Sequence, residues 1–217
     1  MQSFIIIGAG RFGDALAREL YKEGHEVLVV DNDEDTIQRI SDHVTHAVIG
    51  DAADPNVLAS LGVRNFDCAV VSIASDLQNS ILITLILKEM GVPYVIAKAR
   101  NEVHTRVLNK IGADKVIFPE REMGERLAQL ITKKNVLDYL ELSDDYSIME
   151  ITAPKAWHGK TLIELNIRAQ YGVTVIAVRD EKTEQLTVSL DAHFKIKRDD
   201  ILIVLGANED IEEIDKL

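Results

Sequence analysis

A chain of 217 residues and 24.2 kDa is long enough for one large domain, or for a medium-sized domain followed by a small one. Lys and Arg total 24 against 36 Asp and Glu, giving a formal net charge of -12 and a pI near 4.9, which excludes binding driven by nucleic-acid phosphates. A single cysteine excludes an internal disulfide framework and a cysteine-rich zinc site.

Strand-like and helix-like segments alternate from residue 4 to about residue 134, the pattern of βαβ units around a parallel sheet. We predict strands at 4–7, 26–30, 46–49, 68–73, 94–97 and 115–118. Helical periodicity covers 11–23, 35–42, 55–61, 77–90, 102–111 and 122–133. This alternation predicts an α/β fold, a Rossmann-like doubly wound parallel sheet with its strands buried on both faces.

Residues typical of helix ends support these helices. A glycine follows four of them, where a left-handed residue usually ends a helix: Gly24, Gly62, Gly91 and Gly112. Asp54 before Pro55 is typical of a helix start. The acidic run Asp31–Asp35 resembles the start of a calcium loop, but its sixth position is Thr36 where that loop needs glycine, so helix capping is favoured.

The regular alternation of strand-like and helix-like segments ends after residue 135, and we place a domain boundary near 136–144. Strands are predicted at 147–153, 173–178, 187–190 and 201–205, with a helix at 161–168. The domains are therefore expected at 1–135, the nucleotide-binding half, and at 136–217, a linker with a small α+β domain. A core built by about 75 residues alone is marginal, so packing against a second copy is expected.

The first strand runs into the glycines of a G-x-G-x-x-G motif and then into a helix. Gly8 would allow a tight turn, Gly10 the close approach of a pyrophosphate, and Gly13 close helix packing. The N–H groups at the helix start favour phosphate, and Arg11 can add a charge-assisted hydrogen bond. An empty tight turn is the alternative interpretation of these glycines.

Acidic residues follow the second and third strands. Asp31, 18 residues after Gly13, is placed to accept hydrogen bonds from ribose hydroxyls and would repel a 2′-phosphate, which argues against NADP. Alternatively it is a solvated strand end. Asp51 after the third strand either hydrogen-bonds adenosine or only turns the chain.

The fifth strand ends in Lys98, which is either a phosphate contact or a surface lysine. Tyr94 and Lys98 match the Y-x-x-x-K spacing of short-chain dehydrogenases, but on a strand they are about 13 Å apart and cannot act as a pair. The tail of about 75 residues offers no evident general acid. We therefore assign no catalytic residue and expect a sensor rather than an enzyme.

The longest nearly uncharged apolar stretch, Ile81–Leu87, is far shorter than the roughly 20 residues of a membrane-spanning helix. The start of the chain carries no signal-peptide pattern. We expect a cytoplasmic protein that is not itself embedded in a membrane.

Longer motifs carry a resemblance over essentially the whole chain. They are G-A-G-R-F-G, V-D-N-D, G-D-A-A-D, N-K-I-G-A-D-K-V-I-F-P-E-R-E-M-G and N-V-L-D-Y-L-E-L-S-D-D-Y-S-I. On these motifs the chain resembles the cytosolic regulatory subunits of Ktr potassium-uptake systems, the KtrA/KtrC type, built of an RCK N-terminal and an RCK C-terminal domain. The P-E-R-E-M-G run beside a Rossmann half is more specific than the glycine motif alone.

The resemblance implies a homo-octameric ring that binds ATP or ADP and docks on a membrane potassium-translocating dimer, peripheral on the inner face of the cell membrane. It implies that Arg11 meets the terminal phosphates and Asp31 the ribose. Glu120 matches a family acid that helps to hold a divalent cation, Mg²⁺ or Ca²⁺, between subunits, whereas the sequence alone indicates a helix-start carboxylate. The nucleotide residues that it implies are Gly8, Gly10, Arg11, Phe12, Gly13, Asp31, Asp51, Ala74 and Lys98.

The tail W-H-G-K-T-L-I-E-L-N-I-R-A-Q-Y-G-V-T-V-I-A-V is similar to the family's C-terminal domain, whose dimer interface can bind cyclic di-AMP. Ile163 and Ile176 are the matching apolar candidates and Arg168 the phosphate-contacting one. Leu190 stands near a position where relatives often have proline, and packing alone explains the two isoleucines equally well.

Two alternatives remain at this stage. Because Asp31 accepts the ribose of either ligand, an NAD(H)-responsive TrkA-like regulatory subunit is the first of them. A small NAD-linked oxidoreductase is the second.

Overall fold

The computed structural model of the chain describes residues 1–73, 76–132, 136–143, 145–188, 190–215 and 217. Contacts divide it into two compact units, residues 1–122 and 123–217. The domain boundary predicted at residue 136 falls on the first residue of a strand of the second unit, Val136–Glu141, and stays a prediction. None of the helices in the described residues combines the length and the apolarity needed to cross a bilayer.

The first unit contains a six-stranded sheet in which neighbouring strands are parallel. Its strands are β1 (Ser3–Ile7), β2 (Glu26–Asp31), β3 (His46–Ile49), β4 (Cys68–Val71), β5 (Val95–Lys98) and β6 (Lys115–Ile117). Their order, β3-β2-β1-β4-β5-β6, is the Rossmann order, so the predicted doubly wound α/β fold is confirmed. The chain therefore reverses direction across the sheet between β1 and β4.

A helix follows each of these strands. The helices are α1 (Arg11–Lys22), α2 (Glu34–Ile40), α3 (Pro55–Ser60), α4 (Leu77–Glu89), α5 (Glu102–Lys110) and α6 (Pro119–Thr132). The predicted caps are confirmed: Asp54 accepts the Asn56 N–H at 2.9 Å before Pro55, and Asp33 caps α2 as the acidic run predicts.

The sheet is buried on both faces, which explains why its strands read as continuous apolar runs. Along β1, Ile5 and Ile7 belong to one buried cluster and Ile6 to another, which includes Val27 and Val29 of β2. Side chains of a strand alternate between faces, so each face of β1 contributes to its own core.

Cys68 lies in β4 and is 6% exposed. Burial, with smaller contributions from the carboxylates of Asp114 and Asp67, raises the pKa of its thiol to about 11. The thiol is therefore protonated at neutral pH, and Cys68 packs in one of the core clusters of the first unit.

The second unit is an antiparallel sheet with short helices, the small α+β domain that the sequence predicts. Its strands are β7 (Val136–Glu141), β8 (Tyr146–Thr152), β9 (Thr174–Asp180), β10 (Leu186–Thr187) and β11 (Asp200–Ala207), in the order β10-β9-β11-β8-β7. The helices of this unit are α7 (Leu162–Leu165), α8 (Ile167–Tyr171) and α9 (Asn208–Asp215). Trp157 is 1% exposed in its core.

The predicted single helix at 161–168 is wrong in one respect. Asn166 adopts a left-handed conformation with φ of 43° and divides the segment into α7 and α8. Thr161 and Glu164 form a capping box at the start of α7. The break turns the chain directly after Leu165, the last residue of α7.

Candidate functional site

A cleft of about 420 Å³ lies at the carboxyl ends of the central strands of the first sheet. Four of the predicted nucleotide-binding residues line it together: Gly8, Gly10, Asp31 and Asp51. In doubly wound sheets this edge, beside the point where the strand order reverses, is where ligands bind. Ala74, also predicted for the site, lies outside the described residues.

Two of the three motif glycines are required by the protein itself. Gly8 has φ of +92°, a conformation that other residues rarely adopt, and a Cβ there would lie 2.8 Å from Ile73. A Cβ on Gly13 would lie 2.0 Å from the carbonyl oxygen of Gly8. Helix α1 therefore packs against the end of β1 more closely than any side chain permits, the packing that the motif predicts.

Gly10 differs from these two. Its φ of -63° suits any residue, and a Cβ placed on it would have no atom of the described chain within 4 Å. It caps α1, is exposed, and lines the cleft. The space beside Gly10 is thus open at the point where the unpaired N–H groups of the first helical turn can receive an anion.

Asp31 at the end of β2 supports the glycine loop as well as lining the cleft. Its Oδ2 accepts the Ala9 N–H at 2.7 Å, and its Oδ1 accepts the Asp33 N–H at 3.0 Å. Each carboxylate oxygen keeps a further lone pair that can accept a ribose hydroxyl. Asp31 is therefore held in place before any ligand arrives.

Asp51 turns the chain and also lines the cleft, while its hydrogen bond to adenosine stays a prediction. Its Oδ1 accepts the Ala53 N–H at 2.9 Å, so the side chain turns the chain after β3. The same residue lines the cleft beside Gly50.

The cleft also contains residues that the sequence analysis did not assign. Ser72 follows β4, and Asp76 and Asn79 belong to the start of α4. Asp76 accepts the Asn79 N–H at 3.1 Å and its side-chain N–H at 2.8 Å. The only signal for Asp76 and Asn79 is the N-cap pattern D-x-x-N directly after a strand, and Ser72 carries no signal at all.

A second group of predicted residues meets at the starts of α1 and α6 rather than in the cleft wall. The Lys98 Nζ lies 2.5 Å from Glu120 Oε1 and 5.4 Å from the centroid of the Phe12 ring. Lys98 is 8% exposed, so the surface-lysine interpretation is wrong. The hydrogen bond from Lys98 is the main cause that lowers the pKa of Glu120, and the charge of Arg11 adds to it.

The cleft wall carries three carboxylates, those of Asp31, Asp51 and Asp76. Arg11 is exposed at the start of α1, and its guanidinium makes no hydrogen bond or ion pair within the described part of the chain. The arrangement can therefore accept hydroxyl and amine donors at the wall and anions at the helix start.

The described residues contain no group of three or more His, Cys, Asp or Glu side chains placed to hold a metal ion. Glu120 is a single carboxylate with an ammonium partner, whereas Mg²⁺ and Ca²⁺ need several oxygen ligands. A divalent cation does not fit the residues that one chain brings together here.

The second unit has a cavity of about 230 Å³ of its own. Ile163 and Arg168 line it, whereas Ile176 is not among the lining residues. Ile176 is the extra residue of a β-bulge, because Ala177 pairs with Ile203 and Val175 with Val204. Ile163 is 58% exposed in the single chain, so it does not belong to the core of the second unit.

Comparison with known proteins gives a consistent set of relatives. The TrkA-N domain model matches residues 4–119 and the TrkA-C domain model matches residues 147–217. The Ktr system potassium uptake protein C of Bacillus subtilis (strain 168) is 46% identical over 215 residues, 99% of this chain and 96% of that protein. The Ktr system potassium uptake protein A of the same organism is 42% identical over 214 residues, with the same two coverages.

Among solved structures, the GsuK RCK domain superposes on this chain with a TM-score of 0.69 and 21% sequence identity. The match covers 100% of this chain and 47% of that longer chain. At this identity the likeness concerns the fold alone.

Proposed function

The chain belongs to the family of TrkA-N and TrkA-C domain proteins that includes the Ktr potassium-uptake proteins, and on that premise we propose that it is an adenine-nucleotide-sensing regulatory subunit of a Ktr-type potassium transporter. It is a regulatory protein and not an enzyme. The observation that carries the ligand proposal is Gly10, which opens the start of α1 to a cleft lined by carboxylates.

The chemistry of the cleft supports an adenine nucleotide without a 2′-phosphate. Asp31 and Asp51 lie on the β2 and β3 side, where their oxygens would accept ribose hydroxyls or the adenine amine. The glycine loop would hold the first two phosphates by its N–H groups. A phosphate on the 2′-oxygen would face the Asp31 carboxylate at close range.

Discrimination between ATP and ADP would depend on the third phosphate. The two nucleotides share adenosine and two phosphates, so only groups that contact the γ-phosphate can favour one conformation over another. Arg11 is the proposed contact, because it is a cation at the helix start without a hydrogen-bonded partner in the described chain. Each 1.4 kcal/mol of differential binding changes the conformational equilibrium by about tenfold. ATP would favour the transport-active conformation.

The assembly follows from the family as a proposal. The chain would form a homo-octameric ring through its domains 1–135 and 136–217, and would dock on a membrane potassium-translocating subunit at the cytoplasmic face of the membrane. A divalent cation at Glu120 stays a prediction, since it would need oxygen ligands from outside one chain.

The cavity of the second unit is proposed as the cyclic di-AMP site. It combines an exposed apolar side chain, Ile163, with the guanidinium of Arg168. An apolar surface against a purine and an arginine against a phosphate suit a cyclic dinucleotide. The position of Ile176 outside the lining gives that residue no supporting contact.

An NAD(H)-responsive subunit is the alternative that one observation favours. Asp76 and Asn79 line the β4 side of the cleft, beyond the glycine loop from Asp31. A carboxylate and an amide could accept the hydroxyls of a second ribose there. The same carboxylate would repel an extended triphosphate.

Competition binding decides between these ligands. We expect ATP and ADP to displace a fluorescent ADP analogue from the full chain at lower concentrations than NADH does, because phosphates meet the helix start and Arg11. NADP⁺ should be the weakest competitor, since its 2′-phosphate faces Asp31.

The control ligand in this competition is NAD⁺, which differs from NADP⁺ only in the 2′-phosphate. Displacement by NADH at lower concentrations than ADP would establish the alternative. Equal displacement by NAD⁺ and NADP⁺ would refute the role of Asp31.

A further inference from the structure

The peptide between Gly8 and Ala9 is held at both ends. Its carbonyl oxygen, on Gly8, accepts a short hydrogen bond from the Ser72 hydroxyl. Its N–H, on Ala9, donates to Asp31 Oδ2 at 2.7 Å. The C=O and N–H of a trans peptide point in opposite directions, so the two contacts come from opposite sides of β1. Ser72 follows β4 and Asp31 ends β2, the two neighbours of β1 in the sheet.

Helix α1 begins against this same hydrogen bond. A Cβ on Gly13 would lie 2.0 Å from the Gly8 carbonyl oxygen and 2.6 Å from the Ser72 hydroxyl. The absent side chain of Gly13 therefore leaves the space in which Ser72 meets the carbonyl. The direction of the helix start and the orientation of the peptide are fixed by one contact.

Two contacts to the Ile7 carbonyl hold Ser72 in place. Its N–H donates to the Ile7 carbonyl at 2.8 Å, and its hydroxyl also lies 3.2 Å from that oxygen. The residue lines the cleft, in contrast to a serine buried in a core. Removal of the hydroxyl would take away the hydrogen-bond donor to the Gly8 carbonyl. Because Gly8 is buried, an unpaired carbonyl there costs free energy.

We infer that Ser72 is a positioning residue of the phosphate-binding loop: through the Gly8 carbonyl it sets the directions of the N–H groups that receive the ligand phosphates. The inference rests on the proposed adenine-nucleotide function and extends it to a residue outside the glycine motif. Its consequence is selective. Loss of the hydroxyl frees one end of the Gly8–Ala9 peptide, and the backbone of glycine rotates easily. The binding of the ligand phosphates should therefore weaken. The adenosine part meets Asp31 and Asp51 as before.

Ser72→Ala tests the inference in the full chain, with ADP and adenosine each measured by competition against a fluorescent ADP analogue. We expect ADP to bind about tenfold more weakly, as loss of the hydrogen-bond donor to the carbonyl of the buried Gly8 predicts. Adenosine should compete as it does with the unchanged chain. Ser72→Thr keeps the hydroxyl and should restore ADP binding.

Ser80→Ala is the matched control, because Ser80 is a core serine of the first unit whose hydroxyl has no partner among the described residues. It removes the same atom and should change neither ligand. If Ser72→Ala does not fold, Ser72→Cys supplies a weaker donor of similar size and should give a smaller selective loss of ADP binding.

Equal weakening of ADP and adenosine, or unchanged ADP binding, would overturn the inference and leave the nucleotide function standing. A chain with its natural Ser72 that bound neither ADP nor ATP would instead overturn the proposed function, and the inference with it.

Discussion

Gly13→Ala is expected to destabilise the first unit by about 3 kcal/mol or more. The new Cβ would lie 2.0 Å from the Gly8 carbonyl oxygen, an atom of the backbone that cannot rotate away as a side chain can. Helix propensity alone predicts that this substitution stabilises the first unit, since alanine in a helix is favoured over glycine by about 1 kcal/mol. The close approach of α1 to the end of β1 decides the outcome.

Two further glycine substitutions are the controls. Gly124→Ala, inside α6 where a Cβ meets nothing within 4 Å, should stabilise the chain by up to about 1 kcal/mol. Gly10→Ala also meets nothing within 4 Å, so its cost should not exceed about 1 kcal/mol as a weaker N-cap. Because Gly10 lines the cleft, we expect its substitution to lower ADP affinity by about tenfold or more, about 1.4 kcal/mol.

Urea unfolding followed by far-ultraviolet circular dichroism measures these free energies. Fluorescence of Trp157, the single tryptophan, reports the core of the second unit separately. A Gly13→Ala chain as stable as the Gly124→Ala chain would contradict the packing described for α1. Unchanged ADP binding by Gly10→Ala would contradict the placement of phosphate beside Gly10.

Arg11→Ala is expected to abolish the difference between ATP and ADP in activating potassium flux. The guanidinium would be the contact to the γ-phosphate, and a hydrogen bond between charged groups contributes about 1.5–3 kcal/mol. Removal of the guanidinium should lower the affinity for ATP by about tenfold or more, and should lower the affinity for ADP much less. Without differential affinity a ligand shifts no conformational equilibrium, so both nucleotides should then give the same flux.

Arg18→Ala is the control for this change. Arg18 lies on the same helix, but its Nε donates to Asp14 at 2.8 Å and its guanidinium reaches the Arg39 carbonyl. The flux difference should persist in this variant. The measurement is potassium flux through the membrane partner in vesicles containing ATP or ADP. A persistent ATP/ADP difference in the Arg11→Ala protein would refute the role of Arg11.

The sequence predicts the first unit well because local and tertiary signals agree there. Strands buried on both faces read as apolar runs such as Ile5–Ile7, and the helices α1 to α5 each carry a capping residue or a terminal glycine. The second unit gives weaker signals. The left-handed Asn166 splits the predicted helix, and α9 was not predicted because it is short and its buried apolar residues, Ile211 and Ile214, are few.

The candidate site likewise contains residues that the sequence predicts and residues that it does not. The glycine motif and Asp31 are local and were predicted, whereas Ser72 is defined by a contact to Gly8 across 64 positions. Lys98 and Glu120 are 22 positions apart, and neither sequence position indicates that they form an ion pair. Contacts between distant loop ends exist only once the sheet order is established, which is why sequence patterns do not reveal them.

Direct calorimetric titration of the full chain with ADP and with ATP tests the central claim, that the cleft beside Gly10 binds an adenine nucleotide by its phosphates. The account predicts saturable binding of both nucleotides, and binding weaker by about tenfold or more in the Gly10→Ala chain at unchanged fold. Absence of any binding heat with both ADP and ATP would contradict it.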